Sequence, residues 1–192
     1  DVVGLSKNGI ENAVANLGTS LTDKQIFTLN QFFNDIIICF DGDESGYKAA
    51  LRAAENSIRE MKPEKQISFL FLPDQEDPDS FVNKNGKEYF FDYSKQNKIS
   101  IHQFIFNHYK KNTQNNPSSM AIFEKKLRSI AKTIKDNYIK KYVLEYFIEK
   151  ISGLTPYTSQ NQKNSFTKKT RSLEKTQKYF NESQSLSGVE LK

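Results

Sequence analysis

Five aspartates follow two neighbouring strand-like segments of the 192-residue chain and are the side chains best suited to chemistry. Asp41 and Asp43 come directly after one apolar run, and Asp74, Asp77 and Asp79 come after the next. Because the carboxyl ends of parallel strands line the ligand crevice of an open α/β sheet, we expect both groups to lie at that crevice. Carboxylate oxygens without accompanying thiolates suit Mg²⁺ or Mn²⁺. The pattern therefore favours a divalent metal site.

The first acidic stretch, FDGDESG, also contains the glycines that its geometry needs. Gly42 and Gly46 allow the chain to turn sharply from a strand into a helix, so that both aspartates of the stretch face the crevice. Two carboxylates about 4 Å apart repel by roughly 4 kcal/mol at an effective dielectric constant of about 20. A cation would offset this repulsion, but so would a salt-bridge network with Lys48 or Arg52. An ordinary helix N-cap role is a further alternative for Asp43.

The elements that must position these carboxylates form a strand, a helix and a second strand. Residues 36–40 (IIICF) are a continuous apolar run, which predicts a strand buried on both faces, as in a parallel sheet. Residues 66–72 (QISFLFL) predict the next buried strand. The Ala- and Leu-rich stretch 47–61 between them predicts a helix. This order is a βαβ unit, so we expect helices on both faces of the sheet.

Further elements are predicted on either side of this unit. Upstream, residues 2–8 and 22–33 have helical spacing, and residues 12–15 (NAVA) indicate a short buried strand. Residues 112–119 form a polar connector. The remaining helices are expected after an Asp77 cap, at 87–95, from Ser100 onwards, over 122–134 and over 139–151.

Composition divides the chain into three parts: an α/β metal-binding module over 1–95, a helical subdomain over 96–152 and a polar tail over 153–192. The tail is rich in Ser, Thr, Gln, Asn and Lys and is predicted to be a flexible linker. Residues 1–95 carry 10 basic and 16 acidic side chains, whereas residues 96–192 carry 18 and 7. The basic half indicates contact with a polyanion or, alternatively, a solvated lysine-rich surface.

The remaining chemistry-bearing residues exclude several classes of site. The single cysteine, Cys39, cannot form an internal disulfide or a multi-thiolate metal site and is predicted to be buried. His102 and His108 do not share a helix face and are interpreted as surface or packing residues. No apolar run approaches the roughly 18 residues that span a bilayer, and the start lacks a signal-peptide pattern. We therefore expect a cytoplasmic protein without a membrane partner.

The stretches FDGDESGYKAALRA and FLPDQEDPDSFV, preceded by DVVGL and NAVANLGTSLT, resemble four ordered motifs of the Toprim module of bacterial DNA primases. The resemblance covers residues 1–110, and the helices up to residue 151 fit the family's helical subdomain more loosely. Ser45 stands where the family usually has Ala, and Gln75 where it usually has Gly. The resemblance implies an α/β fold: a partial Toprim module with a parallel sheet flanked by helices, followed by a small helical subdomain and a polar tail.

The resemblance also implies roles for the acidic residues. The family synthesises short RNA primers on single-stranded DNA from ribonucleoside triphosphates, using Mg²⁺ or Mn²⁺. By resemblance, Asp41 and Asp43 are the catalytic metal ligands, with Asp41 between two ions. The residues assigned to supporting positions are Asp77 and Asp79 as a further acidic metal-binding cluster, Asp1 as the end of the glutamate motif, and Gly42, Gly46 and Asp74 around the site.

The family's remaining parts lie outside this sequence. Its catalytic glutamate belongs four residues before Asp1, zinc is expected only in an absent N-terminal domain, and the replicative helicase binds through an absent C-terminal domain. We therefore expect a primase fragment that is inactive by itself. Two alternatives remain: another Toprim enzyme, a nuclease or topoisomerase that breaks DNA, and a non-catalytic module that binds a replication partner through its helical half.

Overall fold

The structure is a computed structural model that describes residues 1–16, 21–74 and 76–154. The described residues divide into two units, one of Asp1–Phe147 and one that begins at Ile148. No helix in these described ranges is long and apolar enough to cross a membrane. In chain order the elements are α1 (Val2–Lys7), α2 (Asp23–Phe32), β1 (Asp35–Gly42), α3 (Glu44–Ser57), a 3₁₀ turn (Ile58–Glu60), β2 (Gln66–Asp74), α4 (Pro78–Asn85), α5 (Lys87–Asn97), β3 (Ile99–Ser100), α6 (Ile101–Lys111), α7 (Pro117–Lys132) and α8 (Asn137–Ser152).

The predicted βαβ unit is confirmed. β1 pairs with β2 in parallel, with Asp35 opposite Gln66 at one end and Phe40 opposite Phe71 near the other. The two-residue strand β3, which the sequence did not predict, pairs with β2 antiparallel, so the sheet has the order β1-β2-β3 and is mixed. β2 is therefore the central strand and carries the sheet's most buried side chains.

Helices cover both faces of the sheet, as predicted. On one face Phe69 packs against Phe104 of α6, with ring centroids 5.3 Å apart. On the other face Leu70 and Leu72 form a buried cluster with Phe81 of α4. Because neighbouring residues of a strand point to opposite faces, β2 anchors both helical layers at once.

Two predictions about strands are wrong. Residues 12–15 form no strand: they lie in a loop between α1 and α2, where Val14 is 76% exposed and Ala13 packs against the cluster of Leu5, Ile10 and Val82. β1 is not buried on both faces either: all its side chains are half-buried or exposed, and within the described residues it lies at the edge of the sheet. As an edge strand it leaves Ile37 41% exposed.

The predicted helix starts are supported by capping hydrogen bonds. The Thr22 hydroxyl accepts a hydrogen bond from the Gln25 N–H, and Ser100 caps α6 in the same manner. The polar connector is shorter than predicted, because α7 begins at Pro117. Nearly all of the predicted polar tail lies outside the described residues, and the proposed boundaries at 95/96 and 152/153 stay predictions.

Candidate metal site

The first acidic turn joins the end of β1 to the start of α3. Asp41 and Gly42 are the last two residues of β1, and Asp43 is the N-cap of α3. The Asp43 Oδ1 atom accepts a hydrogen bond of 2.6 Å from the Gly46 N–H. The N-cap alternative for Asp43 is therefore confirmed, and this bond uses one of its two carboxylate oxygens.

A bulge brings the second acidic stretch against the first. The parallel register shifts after Phe40, so that Gly42 lies opposite Asp74 at the end of β2. The Gly42 N–H donates to the Glu76 carbonyl oxygen at 3.3 Å. A Cβ atom on Gly42 would lie 1.9 Å from the Pro73 carbonyl oxygen, so this approach of the two strands requires glycine.

The remaining aspartates lie at the first turns of α4 and α1. Asp77 is the N-cap of α4, and its Oδ1 accepts from the Ser80 N–H at 2.7 Å. Asp79 is half-buried beneath α1, where a Cβ atom on Gly4 would overlap its carboxylate. Asp1 is the N-cap residue of α1 and forms no capping bond through its side chain.

Electrostatics show that carboxylates from both stretches influence one another. Partial loss of hydration raises the pKa of the exposed Asp41 side chain, and the nearby charges of Asp43 and Asp77 raise it further. The pKa of Asp77 is lowered, chiefly because the Ser80 N–H stabilises the charged carboxylate. Asp41 therefore lies within electrostatic range of both Asp43 and Asp77.

The salt-bridge alternative is not supported. Lys48 lies 2.6 Å from Glu44, one turn along α3, and Lys84 lies 2.8 Å from Glu76. In the part of the chain that the structure describes, no lysine or arginine forms a salt bridge with Asp41, Asp43 or Asp77. Among these described residues, salt bridges therefore do not offset the repulsion at Asp41.

The donor set fits an open, hydrated metal site. Across residues 1–16, 21–74 and 76–154, no three carboxylate, imidazole or thiol groups are close enough to enclose a cation. Mg²⁺ keeps several waters and is commonly held by one or two carboxylates together with substrate phosphates. Asp41 and Asp43, with Asp77 nearby, match that arrangement in ligand type, number and charge.

The other candidate ligands have different surroundings. His102 Nε2 is hydrogen-bonded to Ser100 Oγ at 3.0 Å, and His108 Nδ1 to Tyr47 Oη at 3.1 Å. Cys39 is half-buried, and burial together with the Asp41 charge raises the pKa of its thiol to about 12. The thiol therefore stays protonated at neutral pH.

Comparison with known proteins identifies the domain that carries the first acidic turn. Residues 1–71 match the Toprim domain. Over these residues the chain is similar to Toprim domains. A DNA primase of Pasteurella multocida is 44% identical over 106 residues, which are 55% of this chain and 18% of that protein.

Solved structures extend the similarity beyond the Toprim match. A DNA primase domain from Pseudomonas aeruginosa has a TM-score of 0.75 and 32% identity, covering 80% of this chain and 48% of that one. A DnaG primase catalytic domain bound to ssDNA has a TM-score of 0.72 and 34% identity, covering 77% and 48%. The resemblance to bacterial DNA primases is confirmed, and the chain spans about half the length of these solved chains.

Two residues beside the Toprim acidic turn were missed by the sequence reasoning. The Glu76 carboxylate accepts a hydrogen bond from Ser80 Oγ at 2.7 Å and forms a salt bridge with Lys84. The Glu76 carbonyl oxygen accepts a hydrogen bond from the Gly42 N–H. Its position inside the acidic run DQEDPD was the available signal. The other residue is Tyr47, which lies one helical turn after Asp43. This spacing was the only sign in the sequence that Tyr47 lies near the acidic turn.

Proposed function

We propose that this chain is the metal-binding part of a DNA primase, which synthesises short RNA primers on single-stranded DNA during replication. The observation that carries the proposal is that Asp41 and Asp43, at the end of β1, lie within electrostatic range of Asp77, the N-cap of the helix after β2, in a chain whose residues 1–71 match the Toprim domain. The similarity to a primase catalytic domain bound to ssDNA supports single-stranded DNA as the template.

Each acidic residue has a distinct part in this proposal. Asp41 and Asp43 hold a divalent cation, Asp43 through the oxygen that its cap bond leaves available. Asp77 and Asp79 extend the acidic surface, with Asp1 beside it. A bound Mg²⁺ or Mn²⁺ supplies Lewis-acid chemistry, lowering the pKa of a 3′-hydroxyl and neutralising triphosphate charge.

The protein's own contribution is positioning. The Gly42 contact with the β2 end and the Asp43 cap hold the carboxylates on short, hydrogen-bonded turns, which limits their movement between turnovers. Ribonucleoside triphosphates are the proposed substrates. Contact with a replicative helicase through another domain, and a cytoplasmic location, follow from the same proposal. Because the chain spans about half the length of the solved catalytic structures, we expect residues 1–192 alone to make no primer.

Charge removal in the complete protein tests the proposal. Asp41→Asn and Asp43→Asn preserve shape but remove charge, so we expect ribonucleotide incorporation on single-stranded DNA to fall at least about 100-fold. Asp35→Asn is the matched control, because Asp35 is an exposed aspartate at the opposite end of β1, paired with Lys98 at 3.2 Å. Circular dichroism verifies folding of each variant.

The outcomes separate the candidate activities. Normal priming by folded Asp41→Asn or Asp43→Asn would exclude the proposed role of these carboxylates. Nicking of supercoiled plasmid that requires Asp41, without RNA synthesis, would favour a Toprim nuclease. Metal-independent helicase capture by residues 96–192, without either activity, would favour a binding module.

A further inference from the structure

A series of aromatic rings leads from the sheet to the surface beside the acidic turn. Phe40, the residue immediately before Asp41, lies opposite Phe71 in the parallel register. Their ring centroids are 5.6 Å apart. The Tyr47 ring lies 5.9 Å from Phe71 and 5.7 Å from the His108 ring. The series therefore ends in a tyrosine–histidine pair at the same end of the sheet as the candidate metal ligands.

This pair is held in place while remaining accessible. The Phe104 ring packs against the Tyr47 ring, with centroids 5.3 Å apart, and the Tyr47 hydroxyl is hydrogen-bonded to His108 Nδ1 at 3.1 Å. Tyr47 is nevertheless 36% exposed. Burial lowers the pKa of His108, so its ring is a neutral aromatic at neutral pH. The polar edges of the two rings are thus paired, and the structure keeps an ordered aromatic surface at the solvent.

Tyr47 lies close in sequence and structure to the acidic turn. The Tyr47 N–H donates to the Asp43 carbonyl oxygen at 3.0 Å, which closes the first turn of α3. Residues four apart lie on the same side of a helix, so the ring is one turn from the Asp43 cap. A nucleotide with its phosphates near Asp43 has its base displaced from them by the sugar, a separation comparable to one helical turn of about 5.4 Å.

We propose that Tyr47 and His108 form a stacking platform for a nucleobase bound beside Asp43. This inference rests on the proposed function and adds a base-binding element to it. Bases stack on aromatic side chains through their π faces, with little sequence preference. The base belongs either to the incoming ribonucleotide or to the template strand, and the chemistry of recognition is the same for both.

Three variants of the complete protein test the platform. Tyr47→Leu keeps apolar packing against Phe104 but removes the π face, and Tyr47→Phe restores the ring without the hydroxyl. Tyr142→Leu is the control for loss of an exposed tyrosine, since Tyr142 is 61% exposed on α8. Calorimetric titrations with ATP, UTP, tripolyphosphate and oligo(dA), all with Mg²⁺, give the dissociation constants.

We expect Tyr47→Leu to weaken binding of ATP or of oligo(dA) about tenfold, the scale of one lost stacking contact. UTP should lose less than ATP because its ring is smaller, and tripolyphosphate, which has no base, should bind as before. Tyr47→Phe and Tyr142→Leu should stay within about twofold of the wild type. A loss confined to ATP assigns the platform to the incoming nucleotide, and a loss confined to oligo(dA) assigns it to the template.

Unchanged binding of both ATP and oligo(dA) by folded Tyr47→Leu would overturn the inference. An equal loss for tripolyphosphate would also overturn it, because the defect would then not depend on a base. Failure of the proposed function has a separate readout: wild-type protein that binds these ligands but makes no RNA contradicts the primase proposal, whatever the Tyr47 variants do.

Discussion

A Cβ atom at position 46 would lie 2.3 Å from the carbonyl oxygen of Asp41. Gly46 is buried, and its N–H is also the donor that the Asp43 cap uses. The first turn of α3 can therefore pass directly beside the end of β1 only because residue 46 has no side chain. This contact sets how closely Asp41 and Asp43 approach each other.

Gly46→Ala should damage the acidic turn and not only the helix. The added methyl group must displace backbone, so we expect a loss of about 1–3 kcal/mol in the free energy of unfolding. Gly153→Ala is a suitable control, since the nearest atom to its Cβ would be 3.5 Å away. Urea unfolding gives the free energy of unfolding of both variants and of the wild type. Equal stability of Gly46→Ala and wild type would show that the turn relaxes without strain.

The capping and charge roles of Asp43 can be separated. Asn is as good an N-cap as Asp, whereas Ala is not, so Asp43→Asn should retain stability and Asp43→Ala should lose about 1 kcal/mol. Both variants lack the carboxylate and should lose any stabilisation by Mg²⁺. Urea titrations with and without Mg²⁺ give both quantities. A variant that lacks the charge but keeps the full Mg²⁺ response would remove Asp43 from the metal site.

The βαβ unit and the helix starts could be predicted because their signals are local. A continuous apolar run, an Ala-rich stretch and a capping Asp77 are each visible within a few residues of sequence. The placement of acidic residues at two strand ends follows from that order. Their roles as metal ligands stay predictions.

The features that were missed depend on partners distant in sequence. The burial of β1 depends on whether strands lie on both of its sides, which its own residues do not encode, and Ile37 is consequently exposed. β3 has two residues and no periodicity. The Glu76 contact with Gly42 exists only because the register shifts at a bulge. No local sequence pattern predicted that bulge.

Stability should fall at mildly acidic pH because of His102. Burial lowers its pKa below the ordinary value of 6.5, and its buried Nδ1 atom has no hydrogen-bond partner among the residues that the structure describes. The unfolded chain therefore binds a proton at higher pH than the folded chain. The contribution is fully present above about pH 6.5 and is lost as pH falls toward the folded pKa, by at most about 1.4 kcal/mol per unit.

His102→Leu removes this titration, so its unfolding free energy should change less between pH about 7.5 and about 5.5 than that of the wild type. His108, whose pKa burial also lowers, contributes a remaining slope in both proteins. Urea midpoints across this range are the measurement. Identical slopes would show that His102 does not carry the pH dependence.

Asp41→Asn should stabilise the protein without metal and abolish its response to metal. The raised pKa of Asp41 means that the fold disfavours its charged form, chiefly through lost hydration and then through Asp43 and Asp77. This unfavourable contribution appears as pH rises from the unfolded value through the folded pKa, and it is fully present at neutral pH. Because Asp41 is exposed and screened, we expect a gain of no more than about 0.5 kcal/mol in EDTA.

If divalent cations bind at Asp41, the wild type becomes more stable than Asp41→Asn when they are added. A ligand that binds only the folded state stabilises it by RT ln(1 + [L]/Kd), so Mg²⁺ should raise the melting temperature of the wild type but not of Asp41→Asn. Asp35→Asn should keep the wild-type response, since it lies at the far end of β1. Thermal unfolding in EDTA and in a Mg²⁺ series distinguishes the cases. An equal Mg²⁺ response in Asp41→Asn, or a loss of stability in EDTA, would mean that the carboxylate serves the fold and not a cation.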